Sequence, residues 1–233
     1  MEIIEQQLND EQLLSAHDDF SREFQNNDDV DRIKQQYFKR LSDVLAKWQV
    51  TDVRTVPGVM YQVRCGHDEF DQSIEYQINW FFDCAETIIH NHRHSFDSYC
   101  LEGEYIEKLW EIVDDDDGST MTYQFQRKSD ATFDLCKTIP GTLCHIKTRH
   151  HFPGNILHVD TSQFHSISSL VGSSSRVLTF LIKKNYFPAS EIFALSMTPE
   201  IEVQDNEIRQ ATDDERQIMY EKLQQLQKTS LCQ

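Results

Sequence analysis

The run Ile89-His90-Asn91-His92-Arg93-His94 sets three histidines at alternate positions. On a β-strand, residues i, i+2 and i+4 share a face, so the run predicts a row of imidazoles side by side. Two neighbouring imidazoles are what iron, zinc, copper or nickel accepts, with a third ligand supplied from elsewhere. Eight of the ten histidines fall between residues 90 and 165, the last at Gly154-Asn155-Ile156-Leu157-His158-Val159-Asp160-Thr161-Ser162-Gln163-Phe164-His165.

Around these runs, residues 59 to 183 read as strand after strand. Ile74, Tyr76, Ile78, Trp80 and Phe82 alternate with Ser73, Glu75, Gln77 and Asn79, the period of a half-buried strand. Ile106, Trp110 and Ile112 share a face of a second strand, and Met121, Tyr123 and Phe125 mark a third. The acidic run 114–117 with Gly118 predicts a solvated hairpin tip between those two. Further strand-like runs cover 142–147, 155–159, 163–168 and 176–183. Short strands at this density, without helical period between them, predict a mainly β sandwich or barrel.

The ends read differently. From Val30, the positions Ile33, Tyr37, Leu41, Val44, Leu45 and Trp48 form one apolar helical stripe, with Asp28 or Asp29 as N-cap. Thr212-Asp213-Asp214-Glu215 matches a capping box and opens a helix carrying Met219, Leu223 and Leu226. The expected organisation is a helical segment over 1–56, a β domain over 57–190 and a helix-bearing extension over 191–233.

Composition narrows the partners. The chain has 233 residues, 39% hydrophobic and 26% charged, and 22 basic against 39 acidic residues give a net charge of −17. Nucleic-acid backbones and anionic membranes would repel such a chain, whereas a small anionic substrate needs only one buried cation. Six scattered cysteines without a CxxC pair, and an acidic Met1-Glu2-Ile3-Ile4-Glu5-Gln6 start, predict reduced thiols in a cytoplasmic protein. No GxSxG, GxxxxGK[ST] or GxGxxG motif occurs, so hydrolase-elbow, P-loop and dinucleotide readings lack their signatures.

Four residues separate His92 from Asp97 and five separate Asp97 from Gly103. This order resembles the first motif of the cupin superfamily, HxH followed by an acid and a glycine, with aspartate standing for the usual glutamate. The run from Gly154 to His165 resembles the second motif, although Asp160, Ser162 and Ser169 replace its proline, second glycine and asparagine. The resemblance covers roughly residues 59 to 187. It implies a cupin-like jelly-roll barrel (a double-stranded β-helix), flanked here by N-terminal helices and a C-terminal helix.

Within that superfamily, Ile89-His90-Asn91-His92 and Leu101-Glu102-Gly103 are most similar to the cysteine dioxygenase (thiol dioxygenase) group. That likeness implies a mononuclear ferrous iron on His90, His92 and His165, with manganese, nickel or zinc as other occupants. It also implies an arginine anchor for a substrate carboxylate, carried onto Arg64, and Tyr186 assisting protonation. The expected substrate is a small polar molecule such as a thiol or an amino acid, and the expected state a monomer or homodimer. The group's Ser-His-Tyr relay is missing from 177–182, which reads Val-Leu-Thr-Phe-Leu-Ile, and its usual cysteine position is Asp97. Alternatives therefore stand beside the oxygenase: a metal-dependent isomerase or lyase, or a cupin-fold binding or regulatory protein. Asp97 is either a fourth metal ligand or an acceptor that orients a histidine. His94 is an alternative ligand if the register shifts. His150 and His151 are expected in a loop before the second motif, and His158 faces either way.

Overall fold

The computed structural model describes residues 27–47, 52–82, 86–114, 118–128, 133–169, 176–186, 192–201 and 208–230. Helix α1 (Asn27–Lys47) carries the predicted stripe, with Leu41, Val44 and Leu45 buried. It begins at Asn27, so Asp28 and Asp29 lie in its first turn and not at the cap. Trp48 and the helical expectation for residues 1–26 lie outside the described residues.

Fourteen strands follow among the described residues: β1 (Val53–Val56), β2 (Met60–His67), β3 (Glu75–Phe81), β4 (Glu86–His90), β5 (His94–Glu102), β6 (Tyr105–Val113), β7 (Met121–Arg127), β8 (Phe133–Pro140), β9 (Thr142–His151), β10 (Ile156–Val159), β11 (Phe164–Ser169), β12 (Val177–Tyr186), β13 (Phe193–Ser196) and β14 (Arg209–Gln210). Helix α2 (Asp213–Ser230) closes the chain. The strands form two seven-stranded antiparallel sheets. Sheet A runs β10-β5-β12-β3-β2-β1-β14 and sheet B runs β8-β7-β13-β4-β11-β6-β9. This is the mainly β, cupin-like jelly roll that the motifs imply, with helices at both ends. Strands β1, β13 and β14 come from outside 57–190, yet they complete the sheets.

The predicted hairpin between β6 and β7 does not form. Val113 pairs with Thr142 of β9, while β7 pairs with β8 and β13, so the acidic run joins strands far apart in one sheet. Residues 115–117 of that run lie outside the described residues. Local turn chemistry lost here to long-range pairing, which buries more apolar surface than a lone hairpin could.

The apolar alternation of β3 is half of what that strand buries. Tyr76, Ile78 and Trp80 join Val63, Leu178, Phe180 and Ile182 on the outward face of sheet A, under Leu41 of α1 and Met219 and Leu223 of α2. The cap of α2 forms as predicted: Thr212 N donates to Glu215 Oε2 (2.8 Å) and Glu215 N to Thr212 Oγ1 (3.3 Å). The polar partners Gln77 and Asn79 are buried too, on the face turned toward the barrel interior. There they line a cavity of about 280 Å³. Gly103, after β5, has φ +78°, and a Cβ on it would sit 2.5 Å from Arg176 O. Only glycine suits such a position. No helix among the described residues is long and apolar enough to cross a membrane. None of Cys65, Cys100, Cys136 and Cys144 is in a disulfide.

Candidate metal centre

His90, His92 and His165 converge. One ring nitrogen from each lies within 4.8 Å of the other two, a spacing compatible with one shared ion. His90 ends β4 and pairs across the ladder with His165 of β11. His92 belongs to neither sheet, because β4 of sheet B stops at His90 and β5 of sheet A starts at His94. The predicted continuous row of three imidazoles is thus a sheet-to-sheet crossing. Asn91 pins it: its Oδ1 accepts from Phe193 N (2.7 Å), its Nδ2 donates to Thr161 O (3.3 Å), and its own N bonds Phe193 O (3.2 Å). His92 folds back toward the other two, its ring edge-on to His90, Phe96 and His165 at centroid distances of 4.7, 4.9 and 4.9 Å. His94, past the break, lines the cavity and is not part of the cluster.

Two of the three rings are oriented from behind. His90 Nδ1 lies 2.9 Å from Ile88 O, which can only accept, so that nitrogen carries the proton and Nε2 keeps its lone pair. His165 Nδ1 lies 2.8 Å from Glu107 Oε1. Glu107 is buried on β6, diagonal to His165 across the β6–β11 ladder. Burial pushes its carboxyl up, but His151 and His165 together outweigh that and hold its pKa down to about 2. An ionised, acceptor-only carboxylate fixes His165 as the Nδ1–H tautomer, with Nε2 facing the cluster. His92 Nε2 lies 2.7 Å from His165 Nε2. Burial, then the neighbouring histidines, push His90 down to about 4 and His92 well below its ordinary value. Both are neutral at pH 7, the form that binds a metal. The donor set, its convergence and its lack of positive charge therefore fit a three-histidine metal shell.

The other candidates are dispersed. Phe96 and Ser98 line the cavity, so Asp97 between them points to the opposite face of sheet A. There it bonds Lys184 Nζ, His158 Nδ1 (2.7 Å) and the Tyr37 hydroxyl of α1. That position corrects both metal-site roles expected for Asp97, the fourth ligand and the orienting acceptor; the acceptor is Glu107. His158 likewise faces outward and is exposed. His150 and His151 end β9 instead of forming a loop, and His151 stacks on Tyr105 with Nε2 3.5 Å from Glu107 Oε2. Arg64 does line the cavity, half exposed, with Nε 3.6 Å from Glu75 Oε1. The Tyr186 backbone ends β12 opposite His94, and its side chain lies outside the described residues.

Glu107 and Lys183 escaped the sequence reading. Lys183, on β12, lines the cavity and donates to Gln77 Oε1 (2.5 Å), while Gln77 Nε2 donates to Asn79 Oδ1 (2.5 Å). For Glu107 a signal existed: it is an acid in phase with Tyr105 and Leu109, both buried.

No protein-family model matches the chain, and no curated protein matches it. Among solved structures it is similar to KdgF from Halomonas sp., at 12% identity and TM-score 0.34, covering 58% of this chain and 90% of that one. It is similar to the hydroxypropylphosphonic acid epoxidase of S. wedmorenis, at 12% identity and TM-score 0.33, over 54% of this chain and 50% of that one. An oxalate decarboxylase of Bacillus subtilis matches at 12% identity and TM-score 0.37, over 61% of this chain and 30% of that one. At these values the likenesses carry no argument about activity, and the site is read from its own geometry.

Proposed function

We propose that the protein is a mononuclear metal-dependent oxygenase of the cupin type, acting on a small polar molecule, with His90, His92 and His165 as the metal ligands. The observation that carries this reading is the convergence of three ring nitrogens within 4.8 Å, with His165 braced by a buried carboxylate. Ferrous iron suits three neutral nitrogen donors that leave coordination positions open, and when bound it supplies redox chemistry that no side chain can. Manganese, nickel and zinc are the other ions such a shell admits.

The chain's own residues do the rest. Glu107 holds the His165 tautomer, and Phe96, Leu157 and Leu181 wall the cavity against water. Arg64, on the cavity wall, is our candidate for taking a substrate carboxylate, which makes thiol-bearing amino acids the first compounds to screen. Tyr186 remains the candidate proton donor. We place the protein in the cytoplasm, as a monomer or homodimer.

One observation favours a second reading, a binding or regulatory protein. Thr179, Leu181 and Lys183 are the residues of β12 that line the cavity, and none is the histidine or tyrosine of a proton relay. Metal analysis and oxygen uptake decide between them. The protein purified without chelator or affinity tag is expected to carry about one equivalent of iron, and to consume dioxygen with a thiol substrate. Absence of bound metal after anaerobic reconstitution with ferrous iron overturns the enzyme reading in favour of the binding protein.

A further inference from the structure

The chain carries a net charge of −17, yet the residues lining its cavity invert that sign. Arg54, Arg64, Arg93, Arg127 and Lys183 all line it, and no aspartate or glutamate does among the described residues. Arg54 is paired with Asp52 at 3.1 Å. Glu75, on the same face of β3 as Gln77 and Asn79, is shared, 3.6 Å from Arg64 and 3.9 Å from Lys183. One carboxylate between two cations leaves positive charge uncompensated.

Lys183 is the least exposed of these pairs' cations, with 16% of its side chain accessible, and its 2.5 Å hydrogen bond goes to the neutral Gln77. Burial pushes its pKa down, with Glu75 opposing and Arg64 and Arg54 adding to the fall, so the ammonium sits where a further negative charge would stabilise it. A separate observation points the same way. Thr179 lines the cavity at 2% exposure, and its Oγ1 has no hydrogen-bond partner among the described residues. A buried hydroxyl without a partner is destabilising, and an acceptor arriving in the cavity would relieve it.

We propose that this cavity binds a small organic anion, with its carboxylate or phosphonate head on Lys183, assisted by Arg64 and Thr179. The proposal rests on the reading of the barrel interior as the substrate site, and not on the metal. The acidic exterior then leaves the cavity as the place where such an anion is stabilised. Lys183 supplies a point charge, whereas Arg64 at the half-exposed rim adds a planar fork.

Isothermal titration at constant ionic strength tests it, using succinate, methylphosphonate and the neutral succinamide as probes. We expect saturable one-to-one binding of at least one anion and none of succinamide, the preferred anion identifying the head group. Lys183→Met should weaken that binding about tenfold or more, the loss of a hydrogen bond to a charged group. Lys183→Arg should restore most of it. Circular dichroism verifies the fold, and Arg64→Gln, expected to weaken binding less, replaces Lys183→Met if that variant unfolds. Binding of succinamide equal to that of succinate, failure of both anions to bind, or a folded Lys183→Met that binds as tightly as wild type overturns the proposal. Metal content is read on the same preparations. Anion binding without metal uptake upholds the anion site and removes the metal reading, and metal uptake without anion binding does the reverse.

Discussion

Along β12, Leu178, Phe180 and Ile182 point outward under the two helices, whereas Thr179, Leu181 and Lys183 point into the cavity. Both sets are largely shielded from water, but they do different work. The outward set packs with Tyr76, Ile78, Trp80 and the helix stripes, and that apolar burial ties α1 and α2 to sheet A. The inward set joins Gln77, Asn79 and Ser98 in a wall whose polar atoms stability does not call for. A buried polar face on an otherwise well-packed sheet is a candidate ligand site, because apolar residues there would avoid the desolvation of polar groups.

Substitutions on the two faces should therefore differ in kind. The largest stability effect belongs outside: Phe180→Ala is expected to cost about 3–5 kcal/mol in chemical denaturation. A cost below about 1 kcal/mol would mean that the outward face is not the main core. Inside, Glu107→Gln keeps the shape but weakens the acceptor behind His165, and should lower metal affinity about ten- to a hundredfold by chelator competition. Unchanged affinity would detach Glu107 from the site.

A smaller and pH-dependent effect is expected at Asp97. Burial raises its carboxyl's pKa, but Lys184, His158 and Tyr37 outweigh that and hold it below its ordinary value. A depressed carboxyl contributes stability that is present above the ordinary carboxylate range and is lost as pH falls through it. Asp97→Asn should thus cost about 1 kcal/mol at pH 7, discounted because Lys184 is 43% exposed, and the gap to wild type should close below about pH 4. A gap that widens on acidification contradicts the assignment. The smallest effect is at Thr179: Thr179→Val removes an orphaned hydroxyl and should leave stability unchanged or raise it by about 1 kcal/mol. A loss of more than that would show that the hydroxyl has a partner.

Much of this was legible in the sequence, for identifiable reasons. Two-residue alternation located β3 and β6, the capping box located α2, and the helical stripe located α1, because each is a local pattern with its own period. His90, His92 and His165 were legible through the resemblance to the two cupin motifs, since the HxH spacing alone is a weak signal. Alternation assigns residues to faces without saying which face is inward, so Gln77 and Asn79 read as solvent-facing and Asp97 as a metal ligand or an acceptor orienting one. The break between β4 and β5 was hidden because His90 and His94 keep strand spacing while entering different sheets. The pairing of β6 with β9 depends on contacts between distant segments, which the acidic run after β6 masked by reading as a hairpin tip. Lys183 could not be distinguished from Lys184 next to it, although one faces the cavity and the other Asp97.

The claim that the inward face holds the metal site and the outward face does not is tested by anaerobic titration of chelator-stripped protein with ferrous iron. Wild type, His165→Ala and Asp97→Asn are compared under identical conditions. The account predicts one equivalent bound by wild type and by Asp97→Asn, and none at the site in His165→Ala. Iron retained in full by His165→Ala, or lost from a folded Asp97→Asn, would contradict it.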